Sequence, residues 1–208
     1  VDILGQTYER LVSGRRKNGI YYTPENVVEF ILKQTIAEFD LLTNPRRKIL
    51  DPACGSGIFL LKAYDWLFKK YRQNEPVLRQ AYPGEDWSAA GIHRHIINYN
   101  LWGADIDETA AAVTAVSLLL KLPAASTGLI PNILTYDSLK RPQAEMPGKV
   151  RKFWAAHYDC VIGNPPYLSF GLRNTGTLPA AYREYLKHSY GETAEYKLSY
   201  YALFLQRG

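Results

Sequence analysis

A chain of 208 residues, 47% of them hydrophobic, is long enough for one α/β domain with a sizeable core and needs no second domain. Two cysteines (Cys54, Cys160) exclude a disulfide scaffold and fit a reducing, cytoplasmic compartment; with four histidines (His93, His95, His157, His188) at no ligand spacing, no metal is expected. No signal peptide and no apolar run long enough to span a bilayer is recognisable, so no membrane partner is expected, whereas the formal charge of +5 suits a polyanionic one.

In chain order, Arg15-Arg16-Lys17 is the first of several basic clusters, followed by Arg46-Arg47-Lys48, Lys69-Lys70 and residues 149–152. Phosphate neutralisation by such clusters supplies sequence-independent affinity, although solvated loops and helix ends explain them equally well. Gly19-Ile20-Tyr21-Tyr22-Thr23-Pro24-Glu25 then leads into a predicted helix over 26–38, with Thr23 as its cap and Pro24 in its first position. Residues 48–51 form a short strand candidate ending at Asp51. Pro52-Ala53-Cys54-Gly55-Ser56-Gly57 follows, then helical apolar spacing over 58–68, so the unit reads strand, glycine loop, helix. Glycines let backbone approach a ligand, and a helix start offers unpaired N–H groups. The third glycine of the dinucleotide fingerprint is absent and no Gly-Lys-Ser/Thr follows, so this is not a phosphate loop. Asp51 would repel a pyrophosphate but suits an ammonium or sulfonium ligand; a plain glycine turn with Asp51 capping the helix is the other reading. Cys54 reads as a small residue of this loop. Residues 73–86 read as a surface loop.

A second strand over 100–105 ends at Asp105, whose carboxylate can accept both hydroxyls of a ribose, while Ile106 can pack on an adenine ring. Asp107 is placed to cap an Ala-rich helix over 108–121. A third strand over 131–136 leads to Asp137-Ser138, where Asp137 can accept from an adenine amino group. A loop over 140–149 precedes a short buried strand over 158–163 that includes Cys160. Asn164-Pro165-Pro166-Tyr167 follows that strand. The Asn164 side-chain oxygen and the Asn-Pro carbonyl can each accept an N–H of one planar amino group, the prolines stiffen the loop, and Tyr167 offers a flat face for a base. A Pro-rich turn with Tyr167 in the core accounts for the same four residues taken alone. Asp51, Asp105, Asp137 and Asn164 then stand at four strand ends along one sheet edge, where open α/β sheets bind ligands. Glu195-Tyr196-Lys197 has a nuclease-like Glu-x-Lys form without an upstream Pro-Asp partner and reads as helix surface; residues 200–207 continue as helix.

Asp51-Pro-Ala-Cys-Gly-Ser-Gly-Ile-Phe-Leu60, Asn164-Pro-Pro-Tyr167 and the Tyr-Thr-Pro block at 22–24, in this order, resemble the S-adenosylmethionine-dependent DNA adenine-N6 methyltransferases of restriction–modification systems. The resemblance implies a Rossmann-like class I methyltransferase fold, a mostly parallel sheet with helices on both faces. It implies S-adenosylmethionine as cofactor. Thr23, Pro24 and Ala53 would lie near its methionine end, Asp51, Gly55 and Gly57 would shape its pocket, Asp105 would bind its ribose and Ile106 pack on its ring, Asp137 and Ser138 would hold its adenine, and Tyr22 and Cys54 would also belong to the cofactor site. Asn164, Pro165, Pro166 and Tyr167 would hold the target base, an adenine flipped from double-stranded DNA. Arg15–Lys17, just before the Tyr-Thr-Pro block, would be the cluster nearest to DNA.

Ser199 stands where the family often has an acidic residue ahead of a segment like 200–207. The resemblance also implies further strands, an antiparallel one among them, and a target-recognition domain beyond them. The chain is therefore expected to be a truncated catalytic domain, with a helical segment over about 1–45, a cofactor-binding core over about 46–208, and the target-recognition domain absent. A specificity or nuclease domain or subunit is expected elsewhere in the parent protein. The same Asn-Pro-Pro-Tyr also serves methyltransferases of ribosomal RNA bases and of protein glutamine, and a non-catalytic DNA-recognition or assembly subunit on this fold is a further alternative.

Overall fold

The computed structural model describes residues 4, 5, 7, 8, 23–170, 178–194 and 198–208. Tyr22, the rest of the block at 19–22, the Arg15–Lys17 cluster and Glu195–Lys197 lie outside the described residues.

Four strands form one parallel sheet: β1 Ile49–Asp51, β2 Leu101–Asp105, β3 Asn132–Thr135 and β4 Cys160–Val161, in the spatial order β3-β2-β1-β4. Parallel neighbours cannot be joined by hairpins, so helices make the crossovers. Helix α1 Glu25–Thr35 precedes the sheet, and the crossovers run through α2 Ile58–Gln73, α3 Glu75–Ala81, α4 Ala89–His95, α5 Glu108–Leu119 and α6 Gly148–Ala155. Strand side chains alternate between the two faces. Ile49, Leu101 and Ile133 join the core under α1, α2 and α4, while Leu50, Ala104 and Leu134 face Phe153 of α6. Helices therefore cover both faces, and the strands are apolar on both sides, as a parallel sheet requires. A two-stranded antiparallel ribbon follows, β5 Ser169–Phe170 with β6 Leu198–Ser199, together with α7 Ala180–Ser189, α8 Gly191–Ala194 and α9 Tyr200–Arg207. These helices bury Leu186, Tyr190, Ala194 and Leu203 around Leu139 in a small core of their own.

Several expectations are corrected. The strand before Asn164 pairs over two residues, and Val161 is 39% exposed and Cys160 half-buried, because β4 is an edge with only β1 beside it among the described residues. Residues 73–86 are not all loop: Pro76 sits in the first turn of α3, where its missing N–H costs no helical bond. The helix expected over 26–38 is α-helical only to Thr35 and tightens to a 3₁₀ turn over Ile36–Glu38, and Pro24, not Thr23, occupies its cap position. The Arg46–Lys48 cluster is committed internally: Arg46 pairs with Glu85 (2.9 Å) and lies over the Tyr99 ring, Arg47 pairs with Asp159 (2.7 Å), and Lys48 lies over Trp102.

The strand order reverses direction between β1 and β4, since β1 leads outward to β2 on one side and is flanked by β4 on the other. Such a switch point opens a crevice beyond the C-terminal strand ends.

Candidate active site

Asp51 closes β1 with its side chain 1% exposed and one carboxylate oxygen accepting from the Ala53 N–H at 3.1 Å. It does not cap the next helix, whose cap position is Gly57. Burial pushes the Asp51 carboxyl up to about 8, and the nearby Asp105 charge adds to the shift. The loop after it is pinned to β2 by the Cys54 N–H, which donates to the Ala104 carbonyl at 3.0 Å. Gly57 has φ +91°, and a Cβ there would meet the Thr114 side chain at 2.8 Å, so neither the conformation nor the space admits another residue. Thr114 itself donates to the Gly55 carbonyl at 2.8 Å. Cys54 is buried, and burial pushes its thiol up, which makes it inert packing.

At the end of β2, Asp105 accepts from the Gly55 N–H at 2.8 Å and from the Asp107 N–H at 2.9 Å, one bond to each oxygen. The β1 loop is thus tied to β2 twice, once by backbone and once by this carboxylate. Ile106 is 72% exposed beside it. Asp107 caps α5 through the Thr109 and Ala110 N–H groups, and its other oxygen accepts from the Tyr8 hydroxyl at 2.8 Å. Beyond β3, Asp137 accepts from the Leu139 N–H at 3.1 Å and from the Tyr182 hydroxyl at 2.7 Å. The Ser138 hydroxyl is buried and donates to the Pro52 carbonyl at 2.6 Å, fastening the β3 loop to the β1 loop.

After β4, Asn164 donates from Nδ2 to the Thr23 hydroxyl at 3.0 Å. Tyr167 is 53% exposed, and its ring stacks on Tyr201 with centroids 5.5 Å apart and planes at 15°, so it is not packed in the core.

These strand ends surround one cavity of about 220 Å³. Of the sequence-selected residues, Thr23, Asp51, Ala53, Cys54, Gly55, Asp105, Ile106, Asp137, Ser138, Asn164 and Pro166 line it, whereas Pro24, Gly57, Pro165 and Tyr167 do not. Sequence reasoning missed an aromatic contribution: Tyr8, Phe59, Tyr136, Tyr182, Tyr200 and Phe204 also line it. Tyr200 and Phe204 stand one helical turn apart, a spacing that could have flagged them as one surface of α9. Among the described residues, four aspartates and no basic side chain line the cavity (Asp51, Asp105, Asp107, Asp137). Its chemistry is that of a hydrogen-bond acceptor wall with apolar and aromatic faces. A phosphate is disfavoured there, and a ligand bearing hydroxyls, amino groups or positive charge is favoured.

The chain is 24% identical, over an alignment of 253 residues, to the type II restriction enzyme and methyltransferase RM.Eco57I of Escherichia coli, a match that covers 99% of this chain and 25% of that protein. It is 33% identical over 130 residues to the adenine-specific methyltransferase PglX of Streptomyces coelicolor, covering 59% of this chain and 10% of that protein. The chain therefore spans a quarter or less of the length of these relatives. Among solved structures, the type IIL restriction-modification enzyme MmeI in complex with DNA shares the fold with a TM-score of 0.63 at 20% identity, over 99% of this chain and 30% of that one. The family model of the N-6 DNA methylases matches residues 1–203, and with that match this chain belongs to the N-6 DNA methylase family.

Proposed function

We propose that this chain is the catalytic domain of an S-adenosylmethionine-dependent DNA adenine-N6 methyltransferase of a restriction–modification system, acting on an adenine extruded from duplex DNA. The observation that carries the proposal is the position of Asn164. It stands at the switch point of the sheet, on the rim of an acceptor-lined cavity, with its Nδ2 engaged by Thr23. Its Oδ1 is thereby directed elsewhere and can accept an exocyclic N–H.

The cavity's residues fit the cofactor: carboxylates for hydroxyl, amino and cationic groups, an exposed Ile106 for a ring, and no basic residue among the described lining. When bound, S-adenosylmethionine supplies a methyl group on a cationic sulfur. Asp105 accepts the ribose hydroxyls, and Asp137 accepts the adenine amino group. On the acceptor side, Asn164 Oδ1 and the carbonyl of the residue following it hold both N–H bonds of the target amine. An exocyclic amine is a poor nucleophile because its lone pair is delocalised into the ring. Two fixed acceptors favour the geometry in which that lone pair faces the methyl group, a contribution from positioning and preorganised dipoles. Tyr167, 53% exposed, takes the extruded base, which offsets part of the unstacking cost of a few kcal/mol. Residues 1–208 supply the helical segment and the cofactor-binding core, and recognition of the DNA sequence comes from outside them.

The test is N6-methyladenine mapping in DNA of cells that express the natural-length protein and lack other adenine methylation. Modification at one recurrent sequence, abolished by Asn164→Ala while S-adenosylmethionine binding persists, is the expected result. Unmodified DNA with methyl transfer to RNA or protein glutamine instead would overturn the DNA acceptor. Loss of cofactor affinity in Asn164→Ala as large as in Asp105→Ala would overturn the role given to Asn164.

A further inference from the structure

Three tyrosines carried by α7 and the residue after it grip the loop that follows β3. Tyr182 donates its hydroxyl to Asp137 at 2.7 Å, Tyr185 accepts from the Arg141 N–H at 2.7 Å, and Tyr190 donates to the Leu139 carbonyl at 2.8 Å. The grip is anchored, since Leu186 and Tyr190 are buried against Leu139. Tyr185 and Tyr190 hold backbone only. Tyr182 alone of the three reaches a cavity-lining side chain, and its own ring lines the same cavity.

The Asp137 carboxylate is consequently held at both oxygens, one by the Leu139 N–H at 3.1 Å and the other by the Tyr182 phenol. Two donors on two oxygens fix the plane of the carboxylate and leave its remaining lone pairs as acceptors. Burial and the Asp137 charge push the phenol's ionisation upward, so Tyr182 remains a donor throughout the working pH range. An acceptor-only carboxylate of fixed orientation discriminates between purines at position 6. An amino group can donate to it, whereas a keto oxygen would face a second acceptor with no proton between them.

We infer that Tyr182 is a positioning residue that, through Asp137, sets the preference of this cavity for a 6-amino purine ligand over its 6-oxo counterpart. The inference rests on the proposed reading of Asp137 as the acceptor for the cofactor's adenine. Without the phenol, the carboxylate keeps one donor and can rotate about its side-chain bond, so its orientation no longer fixes which purine edge it meets.

The experiment measures, by calorimetry on the natural-length protein, the affinities of S-adenosylhomocysteine and of its deaminated 6-oxo analogue. The wild-type protein should prefer the 6-amino ligand by about a hundredfold or more. Tyr182→Phe, which deletes one hydroxyl, should reduce that ratio by about tenfold. Tyr185→Phe, which removes a backbone contact of the same helix, should leave the ratio unchanged even if both affinities fall. Asp137→Asn should lose the preference as well, and in that background Tyr182→Phe should have no further effect on the ratio. Equal weakening of both ligands by Tyr182→Phe would reduce Tyr182 to a structural role and overturn the inference. An Asp137→Asn protein with the full preference would overturn it independently of how Tyr182→Phe folds. A wild-type protein that binds both ligands equally, or neither, would instead strike the proposed reading of the cavity, and this inference with it.

Discussion

Gly163 rests against the buried carboxylate of Asp51: a Cβ at Gly163 would come within 2.5 Å of the Asp51 oxygen and 3.2 Å of its carboxyl carbon. The loop that carries Asn164 can therefore lie over the end of β1 only because position 163 has no side chain. Gly163→Ala should destabilise the fold by about 1–3 kcal/mol through overpacking. For a domain of this size that is a fall in Tm of about 2–10 °C, readable by calorimetry or fluorimetry. A variant with unchanged Tm would mean that the β4 loop yields easily, and that its position over Asp51 is loosely set.

The bond between Asn164 and Thr23 makes a second prediction. Thr23→Val keeps the shape of the side chain and removes the acceptor for Asn164 Nδ2. Leaving that donor unpaired costs about 1–3 kcal/mol and frees the amide to turn. Under the proposed function, single-turnover methyl transfer should slow by about tenfold to a hundredfold while S-adenosylmethionine affinity changes little. Thr23→Ser, which retains the hydroxyl, should recover most of the rate. Loss in Thr23→Ser with a normal rate in Thr23→Val would point to the methyl group instead of the hydrogen bond.

Asp51 predicts a pH dependence. Its folded-state ionisation is raised to about 8 from an ordinary 3.8, so in the ligand-free fold the carboxyl is protonated at neutral pH. A raised carboxyl pKa means that the ligand-free fold loses stability as pH rises from about 4 and that the loss levels off above about 8. A cation bound beside Asp51 favours the charged form and expels the proton. Affinity for S-adenosylmethionine should therefore increase between pH 6 and pH 8 and flatten above about 8, with proton release measurable by calorimetry in buffers of different ionisation enthalpy. S-adenosylhomocysteine, which lacks the sulfonium charge, should show a shallower dependence. Identical pH profiles for the two ligands would place the cation away from Asp51.

Tyr167 and Tyr201 predict a division between stability and capture. Both rings are substantially exposed, at 53% and 41%, so truncating either should barely change Tm. Tyr167→Ala removes the face proposed for the extruded base, a contribution of about 1–3 kcal/mol by analogy with stacking in single-strand binders. The expected result is a rise in KM for duplex DNA of about tenfold, with a smaller rise for Tyr201→Ala, which leaves Tyr167 without its stacking neighbour. Kinetics on duplex DNA indifferent to Tyr167→Ala would sink the stacking role.

The strand ends were legible in the sequence because each is an abrupt change from apolar residues to a polar one. That change at Asp51 and Asp105 is where a buried parallel strand meets the crevice, and Asn164 follows the edge strand β4. The cap at Asp107 was legible because Asp before an Ala-rich helical run has a local cause and a local partner. The pairing of Asn164 with Thr23 was not, since the two positions are 141 residues apart and only the folded sheet brings them together. The shortness of β4 escaped for a related reason: apolar composition marks a strand but does not reveal how many residues find a partner. The helix over Glu75–Ala81 escaped because a proline usually ends helices, and only its place in the first turn makes it compatible with one. Tyr182, Tyr200 and Phe204 carry no mark that separates a cavity wall from ordinary core, because burial against a ligand and burial against protein select the same aromatic residues.

The acidic lining of the cavity also acts as a sieve on whatever reaches the rim. The carboxylates of Asp105, Asp107 and Asp137, with no basic side chain among the described lining residues, set up a negative potential at the mouth. A nucleic acid's backbone is repelled by that potential, while an uncharged heterocycle crosses it freely. For the proposed DNA acceptor, the fold thus separates a base from the strand that bears it before any base-specific hydrogen bond forms. The polyanion stays outside, its neutral part enters, and raising the salt concentration should weaken this sorting at the entrance while leaving the bonds inside unchanged.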